Sequence, residues 1–264
     1  MQFCRFQTPD GPQYGEVVTR DNQFWVTRIL PSPVADHSVR PFTQKFIEQP
    51  LAALSLLSPV VPSKIVCVGL NYNDHAAEMG HELPKEPILF FKPPSSLLPP
   101  GGTILLPARS KHVDYEGELG VVIARTCSQL GPDADVAPYI LGYTLVNDVT
   151  ARDLQRTDGQ WTRAKGFDTF CPVGPIVSDV VYPDSGLKLT TMLNGVQKQA
   201  SSTANLIFPV PALLRYISTI MTLYPGDLIS TGTPSGVGPL APGNVVAISI
   251  EGLGTLSNPD QPWE

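Results

Sequence analysis

Hydrophobic positions along most of the chain follow the spacing of β-strands. Short continuous apolar runs recur from Lys64 onwards, as in KIVCVGL, PILFFK, GELGVVIAR and NVVAISIEG, and turn residues separate them. Such runs are typical of buried strands. Helical spacing is rare and occurs in NYNDHAAEMG, in TARDLQR and in FPVPALLRYISTIM, where Leu213, Leu214, Ile217 and Ile220 fall on one stripe. Strands without regular strand–helix alternation predict a β-rich α+β fold.

The strand-like segments before residue 60 form a separate group. FCRFQT, YGEVVT and QFWVTRIL alternate with polar turns, and the proline-containing stretch SLLSPVVPSK then precedes the longer apolar runs. Prolines and a change of texture are typical of a boundary between two units. The sequence therefore predicts a small β-rich N-terminal domain over residues 1–60 and a larger domain over residues 61–264.

Composition and charge narrow the classes of function. The chain is 42% hydrophobic, so it can bury a full core. Only 16% of its residues are charged, its net charge is −6, and it has no basic block that could neutralise phosphates. We expect no nucleic-acid or membrane partner, and no apolar run approaches the ~18 residues of a membrane span. Four cysteines stand far apart without a C-x-x-C pair, which indicates reduced thiols and a cytoplasmic protein that acts on small solutes.

The segment HVDYEGELG contains two glutamates, Glu116 and Glu118, two positions apart. Alternate side chains of a strand share a face, so both carboxylates point the same way from Cα atoms ~6.6 Å apart. Taken alone, this spacing also fits the solvent-exposed face of an edge strand. A second strand pattern, YTLVND, ends in Asp148 and offers a third hard oxygen ligand. Three carboxylates without a nearby cysteine or histidine are suited to Mg²⁺ or Mn²⁺ rather than zinc.

Other candidate residues are weaker when taken singly. His75 and Glu78 share one face of a helix, where the carboxylate could orient an imidazole that takes a proton from water, although a solvated helix fits the spacing equally well. The segment GHELPKEP that follows is typical of a mobile loop and places the pair on a lid. Lys92 in FFKPPS and Lys165 in RAKGFD could hold a carboxylate or stabilise an enolate, or simply be solvated.

A glycine-rich turn near the C-terminus carries a further candidate. STGTPSGVGP lacks the G-K-[ST] ending of a phosphate-binding loop and the spacing of a serine-hydrolase elbow. Its backbone N–H groups and the Thr233 hydroxyl could still receive a carboxylate.

Six motifs, taken in order, resemble the fumarylacetoacetate hydrolase family over roughly residues 60 to 256. They are VCVGLNYNDHAAE, FFKP, DYEGELGVVI, LGYTLVNDVTARDLQ, WTRAKGFDTFCPVGP and LISTGTPSGVG. The resemblance implies a mixed β-roll around a divalent metal, usually in a homodimer. It also implies roles for matching residues, namely metal ligands (Glu116, Glu118, Asp148), a water-activating lid dyad (His75, Glu78), an active-site lysine (Lys165) and substrate-binding residues (Arg152, Gln155, Thr233, Lys92).

Within that family, the D-H-x-x-E motif after G-x-N-Y is similar to that of acylpyruvases and oxaloacetate decarboxylases. The resemblance implies cleavage of the C3–C4 bond of a small 2-oxo acid through a metal-stabilised pyruvate enolate. Leu70 stands where some acylpyruvases carry arginine, and residues 1–60 are similar to the leading domain of isomerase, decarboxylase and tautomerase relatives. Oxaloacetate tautomerisation, isomerisation of 2-hydroxyhepta-2,4-diene-1,7-dioate type, and non-enzymatic binding of carboxylates or divalent ions remain alternatives.

Overall fold

The computed structural model describes residues 1–74 and 83–263, and most of this part of the chain is built from strands. The strands are β1 (Gln2–Thr8), β2 (Gly11–Arg20), β3 (Gln23–Leu30), β4 (Gln49–Pro50), β5 (Leu56–Leu57), β6 (Ile65–Gly69), β7 (Ile88–Lys92), β8 (Leu97–Leu98), β9 (Ile104–Leu106), β10 (Val113–Tyr115), β11 (Gly117–Ile123), β12 (Ile140–Asn147), β13 (Thr150–Ala151), β14 (Cys171–Ser178), β15 (Lys188–Leu193), β16 (Val196–Ser202), β17 (Leu228–Ser230), β18 (Gly238–Pro239), β19 (Val245–Ile250) and β20 (Gly254–Pro262). The helices of the same residues are α1 (Arg152–Thr157), α2 (Thr162–Lys165) and α3 (Val210–Ile220). The predicted β-rich α+β class is confirmed.

The largest sheet among the described residues has twelve strands. Its main path runs β4-β3-β2-β1-β14-β12-β11-β17-β6-β7, while β5 pairs with β1 and β8 pairs with β14. Every residue of β11 and β14 is buried, because both faces of these strands are covered. Their continuous apolar sequences reflect this position, since a strand that is buried on both faces has no polar side to alternate with.

A five-stranded sheet, in the order β16-β15-β19-β20-β9, shares a hydrophobic core with the large one. Leu119 of β11 and Leu189 of β15 belong to the same buried cluster. Helix α3 adds three of its four stripe residues to this cluster, Leu213, Leu214 and Ile217. The fourth, Ile220, is 55% exposed, because it is the last residue of the helix and extends beyond the core.

A three-stranded sheet, β13-β10-β18, brings two distant segments side by side. β10 and β13 are antiparallel, with Val113 opposite Ala151 and Asp114 opposite Thr150. Residues that follow β10 and precede β13 therefore lie next to one another. This pairing positions the acidic residues described below.

The N-terminal strands continue the large sheet, because Phe3 of β1 pairs with Val177 of β14. They also have a small hydrophobic cluster of their own, which includes Phe6, Val26 and Leu51. The domain boundary at residue 60 stays a prediction. All four cysteines are free thiols, as predicted, and all four are buried. Among the described helices, none has both the length and the apolar character needed to cross a bilayer.

Candidate metal centre and substrate pocket

Three carboxylates meet at the place where β10, β11 and β12 come together. One oxygen of each of Glu116, Glu118 and Asp148 lies within 4.8 Å of the others, and all three residues are buried. The solvent-exposed alternative for the glutamates is therefore wrong. The predicted single strand is also interrupted, because Glu116 separates β10 from β11 and has its backbone N–H bonded to Asn147 Oδ1. The carboxylates converge despite this break.

The glycine between the two glutamates is required by its neighbours. A Cβ atom at Gly117 would lie 2.4 Å from Thr191 Oγ1 and 3.1 Å from Gln199 Oε1. No side chain fits there unless β15 and β16 move away. The E-G-E motif thus lets the five-stranded sheet approach the acidic centre closely.

Two lysine ammonium groups contact the acidic trio. Lys165 Nζ donates to Glu116 Oε2 at 2.9 Å and to Asp148 Oδ2 at 2.6 Å. Lys92 Nζ donates to the other oxygen of Asp148 at 2.6 Å and to the Val149 carbonyl at 3.0 Å. Asp148 is therefore held between two cations.

An arginine ties the trio to a fourth acid, Asp114. Arg152 Nη2 donates to Glu116 Oε1 at 2.5 Å, while its Nε donates to Asp114 Oδ2 at 2.8 Å and its Nη1 to Gln155 Oε1 at 2.7 Å. His112 Nε2 lies 2.8 Å from the other oxygen of Asp114. A chain of polar contacts thus leads from the partly exposed His112 inward to Asp148.

When all the buried acids are ionised, their charges do not balance without a further cation. Asp114, Glu116, Glu118 and Asp148 carry four negative charges when ionised, against three positive charges on the buried Lys92, Lys165 and Arg152, which leaves a net −1. The excess falls on Glu118, which accepts from Ser230 Oγ and from the Gly232 N–H but from no described cation.

The pKa values reflect this imbalance. Burial, followed by repulsion from Asp148 and Glu116, raises the pKa of Glu118 well above its usual range. Burial also opposes ionisation of Glu116, but Lys165 and Arg152 together lower its pKa to about 2. A hard divalent cation beside Glu118 would remove both the repulsion and the excess charge. The donor set therefore fits Mg²⁺ or Mn²⁺.

A cavity of about 200 Å³ opens onto the trio. An apolar wall faces the carboxylates, where the rings of Phe90 and Trp161 pack edge to face at 5.1 Å and Lys165 Nζ lies 4.8 Å from the Phe90 centroid. Leu70 belongs to the same wall and has a left-handed backbone with φ +51°, a conformation that is rare for a bulky residue. The lining comprises Val68, Gly69, Leu70, Phe90, Glu116, Glu118, Asp148, Arg152, Gln155, Arg156, Trp161, Lys165 and Thr233.

Three of the predicted substrate residues, Arg152, Gln155 and Thr233, line this cavity. The fourth, Lys92, does not line it. Its ammonium lies behind Asp148, where it donates to that carboxylate and to the Val149 carbonyl, so this geometry does not support the predicted contact between Lys92 and a substrate. His75 and Glu78 lie outside the described residues.

The side chain of Thr233 already has partners. Its hydroxyl donates to the Gly117 carbonyl at 3.0 Å and accepts from Gln199 Nε2 at 2.8 Å. A substrate carboxylate would have to displace the Gly117 carbonyl to receive this proton.

Sequence reasoning missed several residues that hold the site. Asp114 could have been found, because it precedes Glu116 by two positions and continues the same alternation in VDYEGE. Gln199 and Ser230 gave no local signal, since Gln199 meets Gly117 across 82 positions and Ser230 meets Glu118 across 112.

Comparison with known proteins identifies relatives of this chain. Residues 64–259 match the family described as Fumarylacetoacetate (FAA) hydrolase C-terminal. The mitochondrial oxaloacetate tautomerase Fahd2a of Rattus norvegicus is 41% identical over 220 residues, which is 79% of this chain and 70% of that protein.

Two solved structures share the fold, although the two proteins are named for different activities. The crystal structure of 5-carboxymethyl-2-hydroxymuconate delta-isomerase from Mycobacterium smegmatis superposes with a TM-score of 0.85 at 41% identity and covers all of both chains. Fumarylpyruvate hydrolase from Pseudomonas aeruginosa, in complex with Mn²⁺ and pyruvate, has a TM-score of 0.70 at 31% identity, covering 78% of this chain and 91% of that one. The chain therefore belongs to the fumarylacetoacetate hydrolase family, whose members are enzymes.

Proposed function

We propose that this chain catalyses divalent-metal-dependent cleavage of the C3–C4 bond of small 2-oxo acids, either by decarboxylating oxaloacetate, by hydrolysing an acylpyruvate, or by both reactions. The observation that carries the proposal is the buried trio of Glu116, Glu118 and Asp148 at the end of a small cavity whose wall also presents Lys165. A cavity of about 200 Å³ suits an acid of a few carbon atoms.

The three carboxylates would hold Mg²⁺ or Mn²⁺. When bound, the ion would supply positive charge toward the C2 oxygen of the substrate, where negative charge develops as the C3–C4 bond breaks. The Mn²⁺ and pyruvate present in the fumarylpyruvate hydrolase complex support this assignment.

Lys165 acts as a fixed cation in this proposal. Burial favours its neutral form, but Asp148 and Glu116 outweigh burial and raise the pKa of the ammonium above its usual value. In this proposal the side chain therefore acts as a hydrogen-bond donor to the substrate. Its N–H donors stabilise the negative charge that develops on the substrate, beside the apolar wall that Phe90 and Trp161 form.

Arg152 and Lys92 support the same site in different ways. Asp114 and Gln155 fix the guanidinium of Arg152 at the cavity wall, where it faces the substrate and Glu116 together. Lys92 holds Asp148 in place from the side away from the cavity.

His75 and Glu78 would serve the hydrolytic reaction. An acylpyruvate needs water at its C4 carbonyl, and an imidazole oriented by a carboxylate can take the proton from that water. Oxaloacetate needs no nucleophile, because its C4 leaves as CO₂. The dyad is therefore proposed to matter for hydrolysis more than for decarboxylation.

A second candidate is isomerisation, or keto–enol tautomerisation of oxaloacetate, on the same residues. Two similarities favour this second candidate. The likeness to the Mycobacterium smegmatis isomerase covers the full length of the chain, including the N-terminal strands, and the chain is 41% identical to the rat tautomerase. Both reactions also develop negative charge on the C2 oxygen, so the same cations serve them.

We also propose a homodimer and the division into domains at residue 60. Light scattering after size-exclusion chromatography tests the first, and a chain that begins at residue 61 tests the second. A monomer, or a truncated chain that does not fold, would contradict the corresponding proposal.

The decisive experiment uses purified protein that has been freed of metal and then reconstituted with Mg²⁺ or Mn²⁺. Oxaloacetate, acetylpyruvate and fumarylpyruvate are each added, and the ultraviolet absorbance and the pyruvate concentration are followed together. Metal-dependent pyruvate formation is the expected result. Absorbance change without pyruvate would favour the tautomerase or isomerase, and binding without either change would identify a binding protein.

A further inference from the structure

Gln199 is a buried amide that lies between the acidic centre and the five-stranded sheet. It belongs to β16 (Val196–Ser202) and is fully inaccessible to solvent. Its Oε1 accepts from the Gly117 N–H at 3.0 Å and from Thr191 Oγ1 at 2.7 Å. Its Nε2 donates to Thr233 Oγ1 at 2.8 Å and to the Pro234 carbonyl at 2.9 Å. All four hydrogen-bonding positions of the amide are therefore occupied.

These bonds close a ring around the residue that links the two metal-facing glutamates. The N–H of Gly117 bonds to Gln199, its C=O accepts from the Thr233 hydroxyl, and that hydroxyl in turn accepts from Gln199. The ladder between β11 and β17 begins only at Gly120, so no backbone of β17 holds Gly117 in this way. The side-chain amide takes the place of a neighbouring strand.

The packing around the ring leaves little room for adjustment. A Cβ at Gly117 would clash with Thr191, and a Cβ at Gly236 would lie 2.2 Å from the Lys198 carbonyl. The backbone of β16 therefore fits tightly against the turn that carries Thr233. Gln199 does not itself line the cavity.

We infer that Gln199 is a positioning residue for the metal and substrate site. It fixes the peptide between Glu116 and Glu118, which sets the separation of their carboxylates, and it orients Thr233 at the cavity wall. The inference rests on the proposed function only in assuming that the trio binds a divalent ion. It also assigns the Thr233 hydroxyl to this ring rather than to a substrate carboxylate.

The first test measures Mn²⁺ binding to the metal-free protein by the loss of the free-ion electron paramagnetic resonance signal. Gln199→Leu removes both halves of the amide at similar volume, and we expect Mn²⁺ to bind about 10- to 100-fold more weakly, as is usual when a residue supporting a metal ligand is lost. Thr191→Val is the matched control, because it is equally buried and removes one bond to the same Oε1 but leaves the ring intact. Its Mn²⁺ affinity should stay within about twofold of wild type.

A second variant opens the ring from its other side. Thr233→Val should weaken Mn²⁺ binding to a similar extent, and Thr233→Ser should retain wild-type binding. Combining Thr233→Val with Gln199→Leu should cause little further loss of Mn²⁺ affinity, because both changes break the same ring. The Thr233 variants test the inference even if Gln199→Leu fails to fold. Circular dichroism shows whether Gln199→Leu is folded.

The outcomes separate the inference from the proposed function. A folded Gln199→Leu protein with wild-type Mn²⁺ affinity, or strictly additive losses in the double variant, would overturn the positioning role while leaving the metal site in place. A wild-type protein that binds no Mn²⁺ would overturn both.

Discussion

Nζ of Lys165 lies 2.6 Å from Oδ2 of Asp148 and, on its other side, 2.9 Å from Oε2 of Glu116. One buried ammonium thus bridges two of the three acids that face the cavity. Acidic residues this close together repel one another in a dry environment unless a cation lies between them. Lys165 therefore contributes both to the integrity of the acidic centre and to the charge that a substrate meets.

Replacing Lys165 with methionine separates these two contributions. We expect turnover to fall by about 10²- to 10⁴-fold, because a donor aimed at developing negative charge is lost. Mn²⁺ binding should survive or tighten, since one positive charge leaves the neighbourhood of the carboxylates. Steady-state kinetics and Mn²⁺ titration check this, with Arg163→Met, an exposed residue of the same helix α2, as the control. Turnover near that of wild type would remove the role of Lys165.

Replacing both Glu116 and Glu118 with glutamine should abolish Mn²⁺ binding and metal-dependent activity together, because the site loses two of its three charged ligands. Replacing Glu118 relieves the repulsion that raises its pKa, whereas replacing Glu116 removes a buried partner of Lys165 and Arg152, so the protein should fold but melt at a lower temperature than wild type. Calorimetric titration with Mn²⁺ and a thermal melt measure the two effects, and Glu251→Gln on the surface is the control. A double variant that still responds to metal would contradict the ligand assignment.

The acidic centre could be predicted from the sequence because its signals are local. Glu116 and Glu118 are two positions apart, and Asp148 directly follows an apolar strand, so each signal lies in a short segment. Their convergence depends on the pairing of β11 with β12, which places Asp148 beside Glu116. The family resemblance added Arg152 and Gln155, which line the same cavity as Lys165. The short apolar runs predicted β6, β11 and β19 for the same local reason.

Other features depend on contacts that the local sequence does not encode. Lys92 was predicted to face a substrate. The packing of β7 against the loop after β12 decides whether this lysine, at the end of β7, points into the cavity or lies behind Asp148. The ring around Gly117 joins β11, β16 and the turn after β17, which lie far apart in the chain. Hydrophobic spacing carries no information about such polar contacts.

The division of labour proposed for His75 predicts unequal losses for two substrates. His75→Ala should reduce acylpyruvate hydrolysis by about 10²-fold or more, because water is no longer activated, whereas oxaloacetate decarboxylation should fall by less than about tenfold. Parallel kcat measurements with acetylpyruvate and oxaloacetate, and His37→Ala as the control, check this. Equal losses for the two substrates would refute the separate roles.

Asp36 predicts how stability depends on pH in the N-terminal region. Its carboxylate accepts hydrogen bonds from Arg5 Nε, Tyr14 Oη and the N–H of Ser38. Burial alone would raise the pKa of Asp36, but the bonds from Ser38 and the charge of Arg5 outweigh burial and lower it. A lowered folded-state pKa contributes stability above the unfolded value of about 3.9, and this contribution is lost as the pH falls through the folded pKa.

Asp36→Asn should therefore lower the free energy of unfolding by about 1–2 kcal/mol at pH 7, and the difference from wild type should shrink as the pH falls below about 4. Urea denaturation at several pH values measures this. Asp21→Asn, in the exposed turn between β2 and β3, is the control. A difference that grows toward low pH would contradict the assignment.

Arg156 predicts which substrates the cavity prefers. Among the described residues that line the cavity, Arg152 and Lys165 are each bonded to two carboxylates, whereas the exposed guanidinium of Arg156 has no carboxylate partner. A 2-oxo acid with a second carboxylate, such as oxaloacetate, can use this free charge, but acetylpyruvate, whose acyl end is uncharged, cannot. Arg156→Gln should raise KM for oxaloacetate by about tenfold, the loss of one charge-assisted hydrogen bond, and change KM for acetylpyruvate by less than about twofold.

The matched control is Arg163→Gln, which removes an exposed arginine that Asp158 already pairs and that does not line the cavity. Measuring KM for both substrates with the two variants distinguishes a specific contact from a general change in surface charge, because a general change would shift KM alike in both variants and fade at high salt. Equal effects of Arg156→Gln on the two substrates would show that the free guanidinium does not bind the second carboxylate of oxaloacetate. Any preference between the two substrates would then have to come from the apolar wall that Leu70, Phe90 and Trp161 form.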